Sequence, residues 1–201
     1  MRISHKFKLI GISIPKCGSH TMFKLMEENF GGKKHGSFHE VIVPDNCKYY
    51  EAFAFVRNPY DRAAALYNLL AVPGDGVDLM KLINHEFYKR EVEDLEFETF
   101  CNWLGNSPEE SMIYDASTCQ YDHLAASNKF DISPVHMEGN MLDNLNFFLM
   151  EKDLPILQEL TVENESEHKS FSELSNSTCI QLINDWAHKD FEEYKYEQLV
   201  C

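Results

Sequence analysis

No apolar run in the 201-residue chain approaches the roughly 20 residues that a membrane helix needs. The opening MRISHKFKLIGISIPK also lacks the long apolar stretch and small-residue cleavage site of a signal peptide. No membrane partner is therefore expected. Positive charge is scarce: 18 Lys and Arg face 33 Asp and Glu, a formal net charge of −15. A surface this acidic cannot spread the basic patch that neutralises phosphates, which excludes a general nucleic-acid binder and disfavours a strongly sulfated polymer as partner. The six cysteines form no CxxC pair and follow no zinc spacing, and six is sparse for a disulfide scaffold, so free thiols and no metal are expected. There is no internal repeat, low-complexity tract or dividing linker, and 201 residues with 44% hydrophobic content suit one domain, residues 1–201.

What is present is a recurring strand, loop and helix. Phe7 to Ile14 is a β-branched apolar run that stops at Pro15, and the apolar residues of TMFKLMEENF fall at helical spacing before Gly31-Gly32. Ala52 to Val56 read as a second strand, Asn58-Pro59 as a turn and Tyr60 to Leu70 as an Ala/Leu-rich helix. PGDGVD is a loop, and a helix is expected from Leu79 to Leu104 with a break near Val92 to Asp94. FDISPVHM with MLDNLNFFLMEKDL makes a third unit, 161–178 is polar loop with one helical turn at most, and a last helix is expected from Thr178 to His188. Strands alternating with helices imply an α/β fold of three layers, a mainly parallel sheet flanked by helices.

Lys and Arg are densest near the N-terminus, where the string IPKCGSHT places a glycine and small hydroxyl residues between a strand end and a helix start. Such a loop lets the backbone turn tightly and aims the helix's first N–H groups at an anion. It is not a Walker A loop, because Lys16 precedes Gly18 instead of following the second glycine, which weighs against a magnesium-dependent kinase. FVRNPYDR then puts Arg57 just past a second strand end, where open parallel sheets bind ligands and where a guanidinium can fork two bonds to a phosphate. The competing reading is that Arg57 and Arg62 merely pair with Asp61 and other acids.

Taken in order, IPKCGSHTM, KKHGSFHEVI and FAFVRNPYDRAAALYN resemble the sulfotransferase family that includes the Golgi carbohydrate sulfotransferases and their bacterial and viral relatives. FDISPVHMEGNMLDNL, the loop LTVENESEHKSF and the ending WAHKDFEEYKYE continue the likeness; about Ala71 to Asp115 is where it is weakest. The resemblance implies a P-loop-like sulfotransferase fold. It implies 3′-phosphoadenylyl sulfate (PAPS) as co-substrate and adenosine 3′,5′-bisphosphate (PAP) as product, without a metal. Lys16, Cys17, Gly18, Ser19, His20 and Thr21 would surround the 5′-phosphosulfate, with Lys16 on the leaving oxygen and Arg57 on the 3′-phosphate. The base that takes the acceptor's proton would come from KKHGSFHE, best matched by His35, with His39 and Glu40 as neighbours. The acceptor would be a small molecule or glycan bearing a hydroxyl or amine. The compartment expected from the missing signals is the cytoplasm, although a Golgi-lumenal piece freed of its anchor would read the same.

Two positions depart from the family's pattern. His20 stands where a small hydroxyl residue is usual, and Ala65 stands where a serine commonly contacts the 3′-phosphate. The His168-Lys169-Ser170 stretch is a candidate substitute donor. These departures keep open an alternative, a catalytically impaired PAPS- or PAP-binding protein of the same fold.

Overall fold

In the computed structural model, which describes residues 1–70, 96–106, 117–127, 130–162 and 169–200, the expected first strand is part of a hairpin. β1 (Arg2–Ser4) runs antiparallel to β2 (Leu9–Ile12), in register Arg2 to Gly11 and Ser4 to Leu9. Then follow α1 (Ser19–Phe30), β3 (Lys33–Lys34), a 3-10 turn at Asp45–Cys47 and β4 (Glu51–Val56). The remaining described elements are α2 (Pro59–Leu70), α3 (Phe97–Asn106), α4 (Gln120–Ala125), β5 (Ser133–His136), α5 (Met141–Glu151), α6 (Phe171–Leu174), α7 (Ser177–Trp186) and α8 (His188–Tyr194).

The five strands form one sheet in the order β3-β1-β2-β4-β5. β2 pairs β4 and β4 pairs β5 in parallel, while β1 is antiparallel to both β2 and β3, so only β1 points against the rest. The mainly parallel α/β sheet is thus present. β1 and β3 lie beyond sequence patterning, because three and two residues are too few for an alternation to register. Part of the expected helix Leu79 to Leu104 lies outside the described residues; its end corresponds to α3. The expected last helix, Thr178 to His188, corresponds to α7, and a further helix, α8, follows it after a break at the fully buried Ala187, whose backbone (φ −108°, ψ 23°) leaves the helical region.

The chain divides into two compact units, Met1–Asn58 with Gln120–Ser166, and Pro59–Cys119 with Glu167–Cys201. The first holds the sheet. On one sheet face Leu9, Phe53, Phe55 and Val135 pack with Met22, Phe23 and Met26 of α1 and with Leu145, Phe148 and Leu149 of α5. Ile10, Ile12, Ala52, Ala54 and Val56, which point the other way by strand alternation, are also buried. Gly11 allows α1 to lie close on β2: a Cβ there would collide with Met22 Sδ and reach Met26 Cγ at 3.0 Å. The helix has no side-chain N-cap and no acidic residue in its first turn. A missing cap costs about 1 kcal/mol, against about 1.5–3 kcal/mol for each large apolar side chain buried. Burial of Met22, Met26 and Phe30 therefore holds α1 without a cap.

The second unit is helical in its described residues. Tyr60, Leu66, Phe97, Phe100, Phe171, Ile183 and Phe191 share one buried cluster. The polar stretch expected to contain one helical turn does so at α6, whose N-cap Ser170 and Glu173 form a capping box.

Candidate functional site

The three parallel strands β2, β4 and β5 end on the same side of the sheet, and the candidate residues follow the first two of these ends. After β2 the chain turns through Pro15 into Lys16, which is left-handed at φ +64°, then through Gly18 at φ +62° into α1. A hydrogen bond from Cys17 N–H to the Ile14 carbonyl (3.1 Å) closes the turn, and Ser19 Oγ donates to the same carbonyl (3.0 Å). The first bond of α1's own ladder runs from Met22 N–H to the Gly18 carbonyl, so the amides of Ser19, His20 and Thr21 lie outside it. Gly18 is in van der Waals range of the third strand end: a Cβ there would stand 3.2 Å from Met137 Cε.

β4 ends beside this loop. Arg57, the next residue, reaches back so that its Nη1 donates to the Lys16 carbonyl at 3.4 Å. Lys16 and Arg57 are both half-buried, and no carboxylate among the described residues pairs with either. Asp61, the acid that competed for Arg57, is exposed on α2. Burial and then the nearby Arg57 guanidinium hold the Lys16 ammonium below its ordinary range, partly opposed by Cys17. Two cations kept close, with no carboxylate among the described residues paired to either, repel each other, and an anion placed between them would relieve that repulsion.

The histidines separate. His39 is half-buried, and its Nδ1 lies 3.3 Å from both the hydroxyl and the carbonyl of Ser13, one residue before the turn begins at Ile14. Ser13 Oγ donates in turn to the Phe38 carbonyl (2.6 Å), which fixes the segment carrying His39. His35 is exposed after β3, two strands from β2 in the sheet, and its backbone N–H donates to the Met1 carbonyl. The imidazole of His35 has no partner among the described residues. Glu40 accepts from Ile42 N–H. His20 points outward, its ring 5.5 Å from that of Phe38. Ser19 and Thr21 are buried, and Cys17 is buried with its thiol donating to Gln120 Oε1 at 3.1 Å.

Sequence reasoning missed Gln120, His123 and the hub role of Ser13. Gln120 is fully buried, with Oε1 accepting from Arg57 N–H and Nε2 donating to the Arg57 carbonyl, both at 2.8 Å. His123 is buried one turn further along α4, its Nε2 3.3 Å from the Ser13 carbonyl and its ring 6.4 Å from that of His39. No local pattern announces either residue, since both act through contacts more than 60 residues away. Glu138, part of the resembling third segment, accepts from Asn58 N–H, and Asn144 braces that turn through the His136 and Glu138 carbonyls.

In the second unit Ala65 is buried on α2. His168 lies outside the described residues; Lys169 gives its carbonyl to Asn68 Nδ2, and the Ser170 hydroxyl is engaged with Glu173 in the α6 cap. Among the described residues no group of three or more His, Cys, Asp or Glu is placed to hold a metal ion, and no helix is long and apolar enough to cross a membrane.

The model of the sulfotransferase family matches residues 1–197. No curated protein matches the chain, and no solved structure does.

Proposed function

Because the chain belongs to the sulfotransferase family, we propose that it transfers a sulfuryl group from PAPS to a hydroxyl or amine of an acceptor, a carbohydrate being the class suggested by the sequence resemblance. The observation that carries this reading is the pair of half-buried cations, Lys16 and Arg57, at the ends of adjacent parallel strands, joined through the Lys16 carbonyl and lacking a carboxylate partner among the described residues. The residues fit a ligand with two separated anionic groups. A P-loop-like turn with an uncapped helix start takes one, and a guanidinium suited to a forked phosphate contact takes the other.

In this reading Lys16 and the first-turn amides of α1 stabilise the negative charge that grows on the bridging oxygen as its bond to sulfur breaks. They do so most strongly where water is excluded. The acceptor oxygen forms the new bond to sulfur and gives its proton to a base. Of the two candidate histidines, His39 has the supporting geometry: with Nδ1–H donating to the Ser13 carbonyl, Nε2 is the basic nitrogen. No metal takes part in these steps.

The test is transfer from radiolabelled PAPS to a panel of neutral sugars and small hydroxyl compounds, with wild type and Lys16→Ala compared at matched circular dichroism. Transfer that depends on Lys16 is expected. Transfer indifferent to Lys16, or magnesium-dependent use of ATP instead, defeats the proposal. One observation favours the second reading, a PAP-binding protein without transfer: Ala65 presents only a buried methyl where the family's pattern has a serine. Calorimetric binding of PAP with no transfer to any acceptor would select it.

A further inference from the structure

We infer that Gln120 is a positioning residue that holds Arg57 in place for the 3′-phosphate and locks the Lys16 loop to it; the inference rests on the PAPS reading above. β4 ends at Val56, and the Val56 carbonyl still accepts from Met137 N–H of the neighbouring chain segment (3.0 Å). One residue later, at Arg57, the strand ladder has stopped while the main chain must still be held. The Gln120 amide takes over as a substitute strand: its oxygen accepts the Arg57 N–H and its nitrogen donates to the Arg57 carbonyl, each at 2.8 Å. The primary amide offers donor and acceptor in one plane at that separation, which neither Leu nor an ionised Glu does.

The same oxygen also accepts the Cys17 thiol (3.1 Å), and Arg57 Nη1 donates to the Lys16 carbonyl (3.4 Å). Gln120, Arg57 and the Lys16-Cys17 turn thus close a ring of hydrogen bonds joining two strand ends. Two cations would otherwise move apart; the ring acts on backbone and thiol groups, leaving the ammonium and the remaining guanidinium nitrogens to a ligand. Gln120 itself does not touch the ligand in this scheme. It is fully buried, so its amide is committed to the scaffold.

The experiment compares wild type, Gln120→Leu, Gln120→Glu, Arg57→Ala and the Gln120→Leu/Arg57→Ala double variant for PAP affinity by calorimetry, for thermal midpoint, and for KM and kcat with PAPS. Loss of two neutral hydrogen bonds that set Arg57 is expected to weaken PAP about tenfold or more in either Gln120 variant, with KM for PAPS rising more than kcat falls. In the Arg57→Ala background the same Gln120→Leu change is expected to cost clearly less than in wild type, because the part of its effect that runs through the guanidinium is gone and only the Cys17 link to the Lys16 loop remains. A purely structural role would lower the midpoint while leaving PAP affinity of the folded protein near wild type, and that result overturns the inference. So does an undiminished loss in the Arg57→Ala background. Should Gln120→Leu fail to fold, Gln120→Met, which keeps the side-chain length without the amide's donor and acceptor, decides alone: wild-type PAP affinity in that variant refutes the positioning role. Failure of wild type to bind PAP at all refutes the PAPS reading instead, so the two failures are distinct.

Discussion

Lys16 is a non-glycine residue held at φ +64°, and replacing it separates what the residue costs the fold from what it contributes to the reaction. An L-residue in the left-handed region costs about 1–2 kcal/mol relative to the right-handed one. Glycine escapes that cost but loses about 0.5–1 kcal/mol through the greater freedom of its unfolded chain. Alanine keeps the strain. Both substitutions remove the ammonium that burial and Arg57 disfavour, so the comparison between them isolates the backbone. The Lys16→Gly protein is therefore expected to exceed Lys16→Ala in stability by about 0.5–1 kcal/mol, which for a chain of this length raises the thermal midpoint by about 1–4 °C. Scanning calorimetry on the two variants without ligand measures this directly, and labelled transfer assays on the same samples should find neither active. An alanine variant as stable as the glycine variant would show that position 16 is not strained. Residual transfer in either would show that the lysine is kept for some other purpose, since strain of this kind persists where function demands it.

The remaining predictions concern charge, proton transfer and packing. The folded-state pKa of Lys16 lies below its ordinary value near 10.5, so the unfolded chain binds more protons in that window. The ligand-free protein should gain stability from this group as pH rises through the window, while PAP affinity falls as the ammonium is lost; calorimetry across alkaline pH should find the affinity trend abolished in Lys16→Ala. His39→Asn should lower kcat by about 100-fold or more and leave PAP affinity within twofold, whereas His35→Asn should change neither; the reverse pattern in steady-state kinetics would reassign the base. Tyr60→Phe removes a hydroxyl that donates to Asn184 Oδ1 and accepts from Leu199 N–H. Orphaning both partners should cost about 1–2 kcal/mol in urea unfolding, and an unchanged midpoint would mean that water replaces the phenol.

The turn from Lys16 to Thr21 was legible because everything it needs is contiguous: a strand end, a glycine able to take a positive φ, and a helix start. Arg57 was legible for the same reason. What tied them together was not, because Gln120 meets Arg57 across 63 residues and no spacing in a single sequence encodes that meeting. Gln120 also lies just past the stretch, about Ala71 to Asp115, where the likeness to the family is weakest. The histidines are a different case. The resemblance matches His35 best and His39 only as its neighbour, and it takes the pairing of β3 with β1, built from two residues, to set His35 two strands from β2 while Ser13 meets His39 beside the loop.

The string Arg57-Asn-Pro-Tyr-Asp-Arg carries the most specific likeness to the family, and the structure gives a physical reason why so short a segment is so constrained. Its residues serve two different ends. Arg57 and Asn58 belong to the sheet-bearing unit, where the first meets the Lys16 carbonyl and the second gives its N–H to Glu138. Tyr60 and Arg62 belong to the helical unit, where the Tyr60 ring packs 4.8 Å from Phe171 and 5.2 Å from Phe191, the aromatic residue of the closing Asp-Phe-Glu segment. Arg62 is fully buried, donating to the Thr118 carbonyl at 3.0 Å with its guanidinium 5.3 Å from the Trp186 ring. A buried guanidinium left without such partners would cost several kcal/mol, so packing by itself is enough to restrict Arg62. Substituting Arg62 should therefore lower stability before it touches catalysis, and substituting Arg57 the reverse. Within six residues the same side-chain type is thus held in two ways: Arg62 is fully buried and meets the Thr118 carbonyl and the Trp186 ring, whereas Arg57 is half-buried and its side chain makes one long bond among the described residues, to the Lys16 carbonyl.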